Sequence, residues 1–81
     1  MYQTALKFFN NKNYNVNKFV GDSVRVSNNT YNIYICKMYE FGVCKYLIKV
    51  FNNNTGDEVA NVLHDDYNTL FVTVQNILNN K

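Results

Sequence analysis

The sequence predicts an α+β fold: an N-terminal helix, a three-stranded antiparallel sheet, and one long or two short C-terminal helices (α-β-β-β-α). Three observations predict it. Sixteen of the 81 residues are Asn, and they fall almost entirely between the apolar runs. Asn tolerates left-handed backbone and hydrogen-bonds its own main chain, so in a chain with no Pro and three Gly it takes over the turns. The middle of the chain alternates apolar and polar residues with period two, and both ends carry apolar residues at helical spacing.

Residues 2–12 place Tyr2, Ala5, Leu6 and Phe9 on one helical stripe, with Phe8 off it. The Asn10 to Asn13 cluster ends that helix. Residues 18–27 read as the first strand, with Val20, Val24 and Val26 on one parity and Ser23, Arg25 and Ser27 on the other. Gly21-Asp22 marks a bulge in it, and Asn28-Asn29 turns the chain.

Residues 30–39 and 43–51 are rich in Tyr, Ile, Val and Cys, the strand-favouring set. With Phe41-Gly42 as a two-residue loop, opposed residue numbers sum to a constant. Ile35 then faces Ile48, and Ile33 faces Val50. This register gives a core face of Ile33, Ile35, Tyr39, Cys44, Tyr46, Ile48 and Val50, on which Lys37 must reach past an edge. The opposite face carries Tyr34, Cys36, Met38, Lys45, Leu47 and Lys49.

Thr55-Gly56-Asp57-Glu58 fits a capping box, in which the Thr hydroxyl and Glu carboxylate satisfy the first free N–H groups of a helix. Apolar residues recur after it at 59, 62, 63, 67, 70, 71, 74, 77 and 78. His64-Asp65-Asp66 divides that run, and Asp65 or Asp66 caps a second helix. Residues 69–74 have strand propensity, so a fourth strand is the competing reading. The natural packing puts both helices on one sheet face.

The length sets one domain over residues 1–81, burying about 60% of its unfolded surface. Seven Tyr and six Phe offset that small size with large buried areas. The net charge of +2 excludes a strongly acidic DNA mimic and is weak for a nucleic-acid footprint. No secretory signal and no bilayer-length apolar stretch is visible, so the expectation is a cytoplasmic protein, off the membrane.

No catalytic or metal pattern stands out, and neither an enzyme nor a cofactor is expected. Cys36 and Cys44 fall on opposite faces of the hairpin and read as structural thiols. His64 with Asp65 and Asp66 points its groups about 100° apart if helical, which suits a helix break better than a metal. Ser23 and Ser27 lack an elbow motif, and the glycines lack phosphate-cradling spacing.

The functional lead is the second sheet face. Tyr34, Met38 and Leu47 beside Lys45 and Lys49 form an amphipathic patch that both helices leave open. Such a patch serves a partner protein or a second copy of the chain, and its alternative is burial under the final helix. Aromatics with Lys on a sheet also suit stacked nucleic-acid bases. The α-β-β-β-α order is that of the double-stranded-RNA-binding domain, but the phosphate-gripping position of that family is the acidic Thr55 to Glu58 here.

The stretch Leu6-Lys7-Phe8-Phe9-Asn10-Asn11-Lys12-Asn13-Tyr14-Asn15-Val16, followed by three strands and a helical end, resembles the small type II-A anti-CRISPR proteins of Firmicute prophages. The resemblance implies a helix, a three-stranded sheet and helices, and a phage accessory protein that inhibits a host defence component. The best-known members are strongly acidic and occupy a DNA-binding site, whereas this chain has six carboxylates against eight basic residues. The expected function is therefore binding and inhibiting a host protein through the sheet face. A nucleic-acid-binding module and a structural homo-oligomer are the alternatives.

Overall fold

The computed structural model describes residues 1–10, 13–19 and 21–79. The chain runs α1 (Tyr2–Phe9), β1 (Asn15–Lys18), β2 (Ser23–Ser27), β3 (Tyr31–Glu40), β4 (Val43–Asn52), β5 (Glu58–His64), a 3-10 turn (Tyr67–Thr69) and α2 (Leu70–Asn79). The strands form one antiparallel sheet in the order β1-β2-β3-β4-β5. The fold is α+β with five strands, which corrects the predicted three and departs from the order that the anti-CRISPR resemblance implies.

Both extra strands arise where local patterns were ambiguous. The predicted strand over 18–27 is replaced by a hairpin: β1 starts earlier, and Gly21-Asp22 lies in its turn rather than in a bulge. Val20 lies outside the described residues. Residues 58–64 form a strand on the free edge of β4, not the start of a helix. The spacing of Val59, Val62 and Leu63 suits a helix, but a bulge opposite Val50/Phe51 shifts the parity. Val59, Ala60 and Val62 all pack on the core as a result. Long-range pairing thereby overrides the local period.

The capping box fails for the same reason. Thr55 Oγ1 accepts from the Asp57 N–H at 3.2 Å inside the β4–β5 turn, where Gly56 sits at φ +77°. A helix does follow later, and Asp66 caps it: its Oδ1 accepts from the Asn68 N–H at 3.1 Å. Residues 70–74 are helical, so the fourth-strand alternative falls. Leu70, Phe71, Val74 and Leu78 are its buried stripe.

In α1, Ala5 and Phe9 are buried while Leu6 faces outward. Phe8 turns toward α2 instead, with its ring 5.9 Å from that of Phe71. The predicted extension of this helix to residue 12 stops at Phe9. Asn11 and Lys12 lie outside the described residues.

Both helices lie on one face of the sheet. There Ala5, Phe9, Leu70, Phe71, Val74 and Leu78 close over Val24, Val26, Ile33, Ile35, Tyr46, Ile48 and Val50. The β3–β4 register is the predicted one throughout, from Tyr31 opposite Asn52 to Glu40 opposite Val43.

Asn side chains lock the sheet end away from the Phe41-Gly42 turn. Asn28 Oδ1 accepts from the N–H groups of Thr30 and Tyr31 at 2.9 and 2.7 Å. Asn53 Nδ2 donates to the Asn28 carbonyl at 2.8 Å, and Asn32 Nδ2 donates to Asn53 Oδ1. Asn53→Ala removes both side-chain bonds. It is expected to lower stability by about 1–2 kcal/mol in urea unfolding, an unchanged midpoint contradicting this role.

Candidate functional site: the uncovered sheet face and its overhanging hairpin

The face away from the helices is built by strand alternation. Along one row lie Asn17, Arg25, Tyr34, Lys49 and Asn61, and along the next Ser23, Cys36, Leu47 and Leu63. Met38 pairs with Lys45 further out. No helix covers this face among the described residues, so the alternative of burial under the final helix does not hold. All five predicted residues (Tyr34, Met38, Lys45, Leu47 and Lys49) are on it, half-buried by their neighbours.

Their distribution differs from the single patch predicted. Tyr34 and Lys49 lie toward the Asn-locked end. Met38, Lys45 and Leu47 lie toward the turn. Four residues of extended strand separate Tyr34 from Met38, which is about 13 Å.

The turnward part projects beyond the rest of the sheet. Pairing of β2 with β3 stops at Cys36, and pairing of β5 with β4 stops at Tyr46. Residues 37–40 and 43–45 therefore form a two-stranded overhang, both edges of which are free of neighbouring strands among the described residues. The 36 Å long axis of the molecule matches a ten-residue hairpin, about 33 Å.

At the tip, Phe41 and Gly42 adopt φ +52° and +78°, both left-handed, as a type I′ turn requires. Phe41 is 98% exposed, Tyr39 68% and Val43 53%. Tyr39 was expected on the core face. It shares that parity, but the overhang carries it past the helices.

Lys37 shares that parity too and reaches Asp22 Oδ2 at 3.5 Å, past the sheet edge as predicted. Tyr39 beside it, ahead of Cys44, holds the Lys37 ammonium above its usual pKa. Burial, then the hydrogen bond with Cys44, pushes the Tyr46 phenol up. Both shifts report local packing at the base of the overhang.

Cys36 and Cys44 are free thiols on opposite faces. His64 Nε2 lies 2.9 Å from Thr69 Oγ1, and that hydroxyl donates to Asp66 Oδ2 at 3.2 Å, a cluster that fixes the entry to α2. Among the described residues, no three His, Cys, Asp or Glu side chains group as metal ligands, and no helix is long and apolar enough to cross a membrane.

Sequence reasoning missed several residues of this surface. Leu63 and Asn61 fall within the predicted helix, whereas β5 places them opposite Leu47 and Lys49. Arg25 and Phe51 were within reach of the parity argument. Phe19 lies in a turn, and only the structure stacks it on Tyr34 at 5.7 Å. The tip residue Phe41 reads in the sequence only as half of a two-residue loop, although the absence of Asn from that turn in an Asn-rich chain is itself a signal. No protein-family model, curated protein or solved structure matches this chain.

Proposed function

We propose that this protein is a non-catalytic binding module that docks on a host protein and occludes it, leading with the β3–β4 overhang. Phe41 is the observation that carries the reading. A bulky side chain in left-handed backbone is a conformational outlier that costs the fold of order 1 kcal/mol, and here the ring makes no compensating contact with the core. Strain retained at a fully exposed aromatic points to an interaction made with another molecule. Behind it, Met38, Cys36, Leu47 and Leu63 supply apolar contact area, and Lys45 supplies a charge at its rim. The fitting partner surface is an apolar pocket bordered by carboxylates. The anti-CRISPR resemblance gives the first purified partner to try, a type II-A effector nuclease.

Lys45→Glu combined with Leu47→Asp tests the reading. Both side chains lie off the core, so the circular dichroism spectrum is expected to stay native. Binding to the purified partner, in nuclease-treated buffer at moderate salt, is expected to fall by at least about tenfold. Loss of the native spectrum would make the face part of the core. A concentration-dependent mass by light scattering that this variant abolishes would replace the host protein by a second copy.

A further inference from the structure

β5 is an open edge of the sheet, and the direction of its main-chain groups follows from the hairpin before it. In a two-residue hairpin the closing pair, here Glu40 and Val43, exchanges both main-chain hydrogen bonds, and every second pair repeats that exchange. β4 therefore turns the N–H and C=O groups of residues 46, 48 and 50 toward β5, where His64, Val62 and Ala60 meet them. Asn61 and Leu63 then direct theirs outward. At the opposite side of the sheet the same alternation turns Ser23 toward β1, and its carbonyl accepts from the Phe19 N–H at 3.0 Å. Among the described residues, no group outside the sheet ladder bonds to the main chain of Asn61 or Leu63.

The two edges of the sheet differ. β1 is four residues long, carries Lys18 and has α1 beside it. β5 has seven residues with no Lys, Arg or Pro among them. A long edge without those residues is a template for a further strand.

We infer that this edge binds a basic, extended segment of another protein by strand addition: the segment's main chain pairs with Asn61 and Leu63, and Lys or Arg at each of its ends meets carboxylates. Charge names the occupant. Of the chain's six acidic residues, Asp57 and Glu58 stand at one end of β5 and Asp65 and Asp66 at the other, all exposed. The ion pairs among the described residues are both made by Asp22, so these four carboxylates are left to a partner. Glu58 and Asp65 are about 23 Å apart along an extended strand, which sets an uncharged centre of about six residues in the segment. Leu63, 44% exposed, offers that centre apolar contact on the open face.

The same charges exclude a second copy. Antiparallel self-pairing would lay Asp57 and Glu58 against Asp65 and Asp66, and parallel pairing would set each against itself, so like charges oppose either way. A nucleic-acid backbone is repelled for the same reason. The site is independent of the docking of the overhang.

The experiment is a titration of the full chain, read from its backbone amide NMR shifts and amide exchange. The probes are the synthetic peptide KKTVTVTVKK, its acidic counterpart EETVTVTVEE, and the basic peptide N-methylated throughout its centre, which keeps the charges and removes the edge-pairing N–H groups. The inference predicts saturable shifts at 59–64 with the basic peptide, and slowed exchange of the Asn61 and Leu63 amides. The acidic and the N-methylated peptides should bind at least about tenfold more weakly. Glu58→Gln with Asp65→Asn, which spares the Asp66 cap, should weaken the basic peptide about threefold and flatten its salt dependence. No shifts at millimolar basic peptide would overturn the site, and equal binding of the N-methylated form would reduce it to charge attraction. A concentration-dependent mass of the chain alone, with Asn61 and Leu63 protected, would give the edge to a second copy and overturn it too. Phe41→Asn should leave peptide binding unchanged, so this edge and the docking surface fail separately, and loss of binding in that variant would place the peptide on the overhang instead.

Discussion

Phe41→Asn is expected to make the fold more stable and partner binding weaker. Asn-Gly is the preferred pair for a type I′ turn because Asn accepts left-handed backbone where Phe does not. Replacing Phe at φ +52° relieves about 1 kcal/mol of strain. No core contact is lost, because the ring is 98% exposed. For a domain of this size the midpoint of thermal unfolding should rise by about 4–8 °C. Removing an aromatic anchor from the centre of an interface should weaken binding by about thirtyfold, equivalent to about 2 kcal/mol. Thermal denaturation and a binding titration read the two effects independently. An unchanged midpoint would show that the tip is unstrained, and unchanged affinity would show that Phe41 is not an anchor.

Ile48→Ala is expected to have the largest effect on folding. Ile48 sits on β4 between Ile35 and Val62, fully buried beneath the helices. Truncating such a side chain removes its transfer free energy and leaves a cavity, together about 2–5 kcal/mol. A chain of this length is stable by about 4–12 kcal/mol in total, so the variant is at the edge of folding at physiological temperature. Urea unfolding should show a much lower midpoint with an unchanged slope. A loss under about 1 kcal/mol would mean that the helices do not close over β4 as described.

The central hairpin was legible because three signals agreed there: period-two alternation, strand-favouring residues and a two-residue loop. That agreement fixed the register, separated Cys36 from Cys44, and put Tyr34, Met38, Lys45, Leu47 and Lys49 on one face. The two outer strands were not legible in the same way. β1 has four residues, only one of them apolar, and it exists because β2 offers an edge. β5 reads as helix because Val59, Val62 and Leu63 suit both periods once a bulge is allowed. Edge availability in three dimensions decided both cases, and local sequence does not encode it. The candidate site was legible as a face, from parity. That part of it overhangs depended on where β2 and β5 stop pairing, which alternation along β3 and β4 does not reveal.

The central claim, that the overhang and the adjoining face dock on a protein, is tested most directly by amide hydrogen exchange on the chain alone and in its purified complex. In the free chain, residues 37–40 and 43–45 should exchange faster than 31–36 and 46–51, since the overhang has no neighbouring strands. On binding, the account predicts protection concentrated at 37–45 and continuing to Leu47 and Leu63. Protection confined to α1 and α2, with the hairpin tip exchanging as in the free chain, would contradict it.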